Sequence, residues 1–158
     1  MSAHEVNAAA QAQALRIALA ESSAGGLISA ALLSVPGASA SFDRGVIAYS
    51  NSAKEMMLGV TRTALAEHGA VSEVVAQEMA EGMLRRSEAD IALAETGIIG
   101  PSGSDYKPIG RVCFALARVG EDTVTATMDF GNAGREQVRD MIRDHALWML
   151  TEALKASA

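Results

Sequence analysis

Five residues that run apolar up to a terminal glutamate, followed at once by small residues and two glycines, constrain this chain more than any other feature. They are Ile17-Ala18-Leu19-Ala20-Glu21, and Ser22-Ser23-Ala24-Gly25-Gly26 follows. Leu15, Ile17 and Leu19 alternate with Arg16, Ala18 and Ala20, and no charge interrupts the run between Arg16 and Glu21. An apolar run this short, closed by glycines, suits a strand at the centre of a sheet. Leu27, Ile28, Ala31, Leu32 and Val35 then fall at helical spacing, and Pro36-Gly37 stops that helix. A strand-to-helix turn leaves free backbone N–H groups at the helix start, and glycines let a ligand come close to them.

The same grammar of apolar run, glutamate, hydroxyl residue and glycine returns in residues 90–97, with Ile91-Ala92-Leu93-Ala94-Glu95-Thr96-Gly97. Between the two runs, residues 44–49 read as a second strand. Asn51 or Ser52 can cap a helix over 53–58, Thr61 caps a short helix, and Ser72 caps a longer one. Residues 111–118 and 123–130 read as a hairpin, and a last helix covers 135–154. Strands separated by helices favour parallel pairing, and the hairpin forces an antiparallel neighbour. The pattern predicts an α/β fold: a three-layer α/β/α sandwich around a mixed, mostly parallel sheet of about five strands. The 158 residues fit a single domain over 1–158, with an N-terminal helix over 1–14 at its periphery.

Composition excludes several classes. With 49% hydrophobic and 20% charged residues the chain has the balance of an ordered globular protein. A net charge of −6 gives no reason to expect nucleic acid as a partner. No apolar stretch is long enough to span a bilayer, and no basic-then-apolar leader opens the chain, so a cytoplasmic protein is expected, without a membrane partner. One cysteine and three histidines give no reason to expect a zinc site, and neither a metal nor another cofactor is expected. Cys113 reads as a small buried hydrophobe. The Met- and Ala-rich helices suit a homo-oligomer, a dimer or higher.

In open α/β sheets, sites form beyond the carboxyl ends of the strands. The first strand delivers Glu21, Ser22 and Ser23 there, the second Tyr49, Ser50 and Asn51 with Lys54 one turn on, and the third Glu95 and Thr96. A serine hydroxyl is a weak nucleophile until a neighbour takes its proton. None of His4, His68 and His145 falls near this edge, so Lys54 or Tyr49 is the available base. The plainer reading of the serines is helix capping. Arg135 opens the last helix, where a cation opposes the macrodipole, which points to an anionic ligand or a surface ion pair.

Ala20 to Gly26, Val35-Pro36-Gly37-Ala38-Ser39, Phe42-Asp43-Arg44-Gly45, Tyr49-Ser50-Asn51, Gly69-Ala70-Val71-Ser72-Glu73, Thr96-Gly97-Ile98-Ile99-Gly100-Pro101 and Lys107-Pro108-Ile109-Gly110 occur in this order. Together with Arg135 to Arg139 before a long helix, they resemble the C-terminal domain family of the competence/damage-inducible protein CinA. The resemblance runs over about residues 15–154. It implies an amidohydrolase that converts nicotinamide mononucleotide to nicotinate mononucleotide and ammonia without a metal. It implies Ser22 as nucleophile, with Lys54 and Tyr49 beside it as catalytic groups. Ser23, Gly25, Gly26, Asn51, Thr96, Gly97 and Arg135 are the expected substrate-binding residues, around a small-molecule nucleotide. Two positions depart from the family pattern: Ala24 stands where a threonine is usual, and no Asp precedes Arg135. These departures motivate an alternative, a nucleotide- or phosphate-binding module of the same fold that is catalytically weak or inactive.

Overall fold

A computed structural model describes residues 2–104 and 106–156. In chain order the elements are α1 (Ala3–Ala12), β1 (Ile17–Glu21), α2 (Leu27–Leu33), a 3-10 turn (Ala38–Ala40), β2 (Phe42–Ile47), α3 (Asn51–Leu58) and α4 (Arg62–His68). They continue with α5 (Glu73–Arg85), β3 (Ile91–Gly97), β4 (Arg111–Arg118), β5 (Val124–Asp129) and α6 (Arg135–Lys155). The sheet order is β2-β1-β3-β4-β5. β1 pairs in parallel with β2 and β3, while β4 runs antiparallel to β3 and to β5. Four of the five strands therefore point one way, and helices cover both faces. This is the sandwich that the sequence predicts.

The two Ile-Ala-Leu-Ala runs lie side by side in register, Ile17 opposite Ile91 through Ala20 opposite Ala94. Side chains alternate across a strand, so the runs sort themselves by size. Ile17, Leu19, Ile91, Leu93 and Phe114 face α1, α2 and α6. Ala18, Ala20, Ala92, Ala94, Ala115 and Ala117 face α3, α4 and α5. A surface of methyl groups lets the second layer settle close. Gly82 of α5 lies so near the end of α3 that an added Cβ would stand 1.8 Å from the Leu58 carbonyl oxygen. Cys113 belongs to this small-residue face, and burial pushes its thiol up.

Three details differ from expectation. The N-terminal helix is not peripheral: Val6 and Ala10 are buried in the core. Asn7 ties α1 down by donating to the Leu32 carbonyl at 2.9 Å and accepting from the Ser41 hydroxyl at 2.6 Å. β2 covers Phe42–Ile47 rather than 44–49, because the carbonyls of Ala48 and Tyr49 turn toward Lys54 instead of continuing the ladder. Ser50, not Asn51 or Ser52, caps α3, its hydroxyl accepting from the Ala53 N–H at 3.0 Å.

Candidate active site

The carboxyl ends of β1 and β3 are neighbours: β1 closes on Glu21 before Ser22 and Ser23, and β3 carries Glu95 and Thr96 before its last residue, Gly97. Burying a carboxylate is costly unless donors surround it. Both glutamates meet that condition by taking up the backbone of the turn after β1. Glu21 accepts from the N–H groups of Gly26, Ile28 and Ser29 at 2.9–3.1 Å, and from the Ser29 hydroxyl at 2.5 Å. Glu95 accepts from the N–H groups of Ser22 at 2.5 Å and Ala24 at 2.8 Å, and from the Ser23 hydroxyl at 2.5 Å. The start of α2 is thus capped internally, which corrects the expectation of a free anion cradle there. Gly25 N–H bonds to the Ser22 carbonyl and Leu27 N–H to that of Ala24. Among the described residues, every N–H group from Ser22 to Ser29 is taken within the protein except that of Ser23.

Ser22 is held by this turn with its hydroxyl toward α3. The Lys54 ammonium nitrogen lies 3.0 Å from Ser22 Oγ, 2.9 Å from the Ala48 carbonyl and 3.0 Å from the Tyr49 carbonyl. Lys54 is 1% exposed, so this lysine is a buried group rather than a solvated one. Burial pushes its pKa below the ordinary lysine value, and the Glu95 carboxylate pulls it back up. Burial also lifts the Glu95 carboxyl above the usual carboxylate range, against the Ser23 hydroxyl and the Ala24 and Ser22 N–H groups.

The geometry decides how a neutral Lys54 would point. Carbonyl oxygens only accept, so two N–H groups must face Ala48 and Tyr49. The third direction faces a hydroxyl, which can donate or accept. A neutral amine places its lone pair there and accepts from Ser22; a protonated one donates to Ser22. The arrangement can therefore pass one proton between Ser22 Oγ and Lys54 Nζ without moving another group.

The remaining expected residues divide. Tyr49 reaches Lys54 through its carbonyl, while its phenol is exposed and accepts from Arg135 at 3.3 Å. Arg135 also donates to the Gly100 carbonyl at 3.2 Å, and no carboxylate pairs with it among the described residues. The Ser23 hydroxyl is committed to Glu95, and the Thr96 hydroxyl donates to the Ala70 carbonyl at 2.9 Å. Gly25 and Gly26 have φ of 61° and 97°, so the turn itself needs them. Gly97 makes room for Ser23, whose Oγ would lie 2.8 Å from an added Cβ. Asn51 opens α3 on the exposed surface. Ala24, where the resemblance implies a threonine, is fully buried. Two cavities flank the β3–β4 loop. One of about 550 Å³ is lined by Ala70, Val71, Ile98, Tyr106 and Lys107, and one of about 330 Å³ by Ile99, Gly100, Pro101, Ile109 and Arg135.

Sequence reasoning gave no role to Glu95 or Arg139. Arg139, half-buried on α6, donates to the Ala24 carbonyl at 2.9 Å and closes the turn from the other side. The signal for Glu95 was available in the repeated Ile-Ala-Leu-Ala-Glu run. Arg139 stands in the closing Arg135 to Arg139 motif, but its helical spacing alone reads as surface charge.

This chain belongs to the CinA C-terminal domain family, which matches it over residues 1–154. It is 57% identical over 104 residues to a CinA-like protein of Chlorobium limicola, covering 65% of this chain and 24% of that protein. A protein of Enterobacter agglomerans named nicotinamide-nucleotide amidohydrolase PncC is 45% identical over 136 residues, 85% of this chain and 82% of its own length. Among solved structures, competence/damage inducible protein CihA of Agrobacterium tumefaciens superposes with a TM-score of 0.93 at 41% identity, covering 97% of this chain and 93% of that one. The chain spans about a quarter to a third of the length of the CinA-like relatives.

Proposed function

We propose that the chain is an amidohydrolase that deamidates nicotinamide mononucleotide through Ser22, with Lys54 as general base and acid. The observation that carries this reading is the buried Lys54 amine 3.0 Å from Ser22 Oγ. Neutral Lys54 takes the hydroxyl proton as Ser22 Oγ attacks the carboxamide carbon. The tetrahedral oxyanion is received by the Ser23 N–H, the one donor of the turn with no partner among the described residues. Lys54 returns the proton to the leaving nitrogen, the C–N bond breaks, and ammonia departs from a Ser22 ester. Water, deprotonated by Lys54, then attacks the ester carbon; the bond to Ser22 Oγ breaks as Lys54 returns the proton to that oxygen, and the carboxylate is released. Arg135, bonded only to neutral oxygens, suits the nucleotide phosphate, for which a guanidinium fork is well shaped. Tyr49 helps to hold Arg135 in place.

Ammonia release from nicotinamide mononucleotide, followed for the wild-type chain and Ser22→Ala, tests the reading. Release by the wild type that disappears in the variant is the expected outcome. Equal rates in both remove Ser22 from the reaction. A second reading, a binding module without turnover, draws on the buried Ala24 methyl where the family carries a hydroxyl. Calorimetric binding of the nucleotide with no product would favour it.

A further inference from the structure

We propose that Glu95 is a positioning residue for the Ser22–Lys54 pair, fixing the turn that carries Ser22 and serving as counter-charge to the ammonium that Lys54 becomes. The inference rests on the amidase reading above and goes beyond it by assigning a residue that neither attacks nor moves a proton.

Three donors converge on the Glu95 carboxyl from consecutive residues Ser22, Ser23 and Ala24. One oxygen, Oε1, receives both N–H groups, and Oε2 receives the Ser23 hydroxyl. By engaging the N–H groups on either side, Glu95 leaves that of Ser23 as the available donor for an oxyanion. The side chain is fully buried, so its charge acts at short range through little water. Among the described residues, the charged groups around the pair are Glu95 on β3 for Lys54, Glu21 on β1 for Glu95, and Arg139 on α6, which holds the Ala24 carbonyl of the same turn. When Lys54 takes the serine proton, a buried cation forms, and Glu95 offsets it without itself accepting the proton. The register of the sheet explains the placement: Glu21 and Glu95 end matched runs on adjacent parallel strands, one holding the helix and the other the turn.

The donor pattern makes Glu95→Gln a clean probe. A glutamine carbonyl in the place of Oε1 still accepts both N–H groups, and its amide can donate to the Ser23 oxygen. The variant keeps the turn and removes the charge. With nicotinamide mononucleotide, kcat is expected to fall about 10- to 100-fold with KM within about twofold. The rising limb of the kcat–pH profile should move to lower pH, because Lys54 loses the neighbour that raises its pKa. Glu95→Asp keeps the charge but shortens the reach, so its limb should stay with the wild type while kcat falls. A Glu95→Gln limb that does not move, or a loss confined to KM, overturns the proposal. Should the wild type release no ammonia, the amidase reading fails separately. The pH midpoint of Ser22 phosphonylation by a fluorophosphonate, read by mass spectrometry in wild type and Glu95→Gln, then decides the role of Glu95. A midpoint shift to lower pH supports it, and an unmoved midpoint or a variant that fails to fold as a soluble species while Glu95→Asp behaves like wild type in both rate and midpoint overturns it.

Discussion

Lys54 is the side chain on which the proposed chemistry turns, because its two fixed carbonyl partners leave one direction free to change between donor and acceptor. That makes a conservative charge swap destructive. Lys54→Arg keeps a cation but supplies a guanidinium that does not deprotonate in proteins. Ammonia release should drop about 10²–10⁴-fold, measured at saturating nucleotide beside the wild type. The direction of the lysine shift also sets the pH dependence. Activity should rise with pH through a midpoint below the ordinary lysine value, since burial favours the neutral amine. At this scale the sequence placed Ser22 and Lys54 at one sheet edge, because strand ends and caps are local. It could not say what the hydroxyl of Ser23 or the carboxyl of Glu95 would bond. Those partners belong to another strand, and only register decides them.

Among the elements, short helices depend on their ends. Ser50→Ala removes the hydroxyl that caps α3 and should cost about 1 kcal/mol, read from urea unfolding. Gly82→Ala forces a methyl against the Leu58 carbonyl and should cost about 1–3 kcal/mol or more by the same measurement. On α6, His145 packs on Phe114 at 4.6 Å and Trp148 at 5.3 Å between ring centroids, and its buried Nε2 has no partner among the described residues. Burial lowers its pKa. The folded value lies below the unfolded one, so the unfolded chain binds the proton first as pH falls. Stability from this residue is therefore level above about pH 6.5 and declines below it toward the folded value. Urea midpoints between about pH 7.5 and 5.5 should show this decline, and His145→Phe should flatten it. Periodicity gave the existence of these elements correctly. The end of β2 was misplaced because apolar pattern cannot foresee carbonyls that leave the ladder for a lysine.

For the whole molecule, the sandwich was legible because the Ile-Ala-Leu-Ala runs are too short for helices and are separated by them. Their division into a bulky face and a methyl face needed the sheet. β2 is an open edge, and Ile47, Met56 and Met57 are exposed on it and on α3. Light scattering should find the homo-oligomer that this apolar border favours, and Met56→Glu should weaken it. The methyl face has a further consequence. Lys54 rides on α3, α3 leans on α5, and α5 rests on alanines. Those alanines act as a gauge block that sets how far the Lys54 amine stands from the Ser22 hydroxyl. Enlarging one, as in Ala115→Val, should lift the helical layer and dull the reaction from the far side of the sheet, in a protein that still folds.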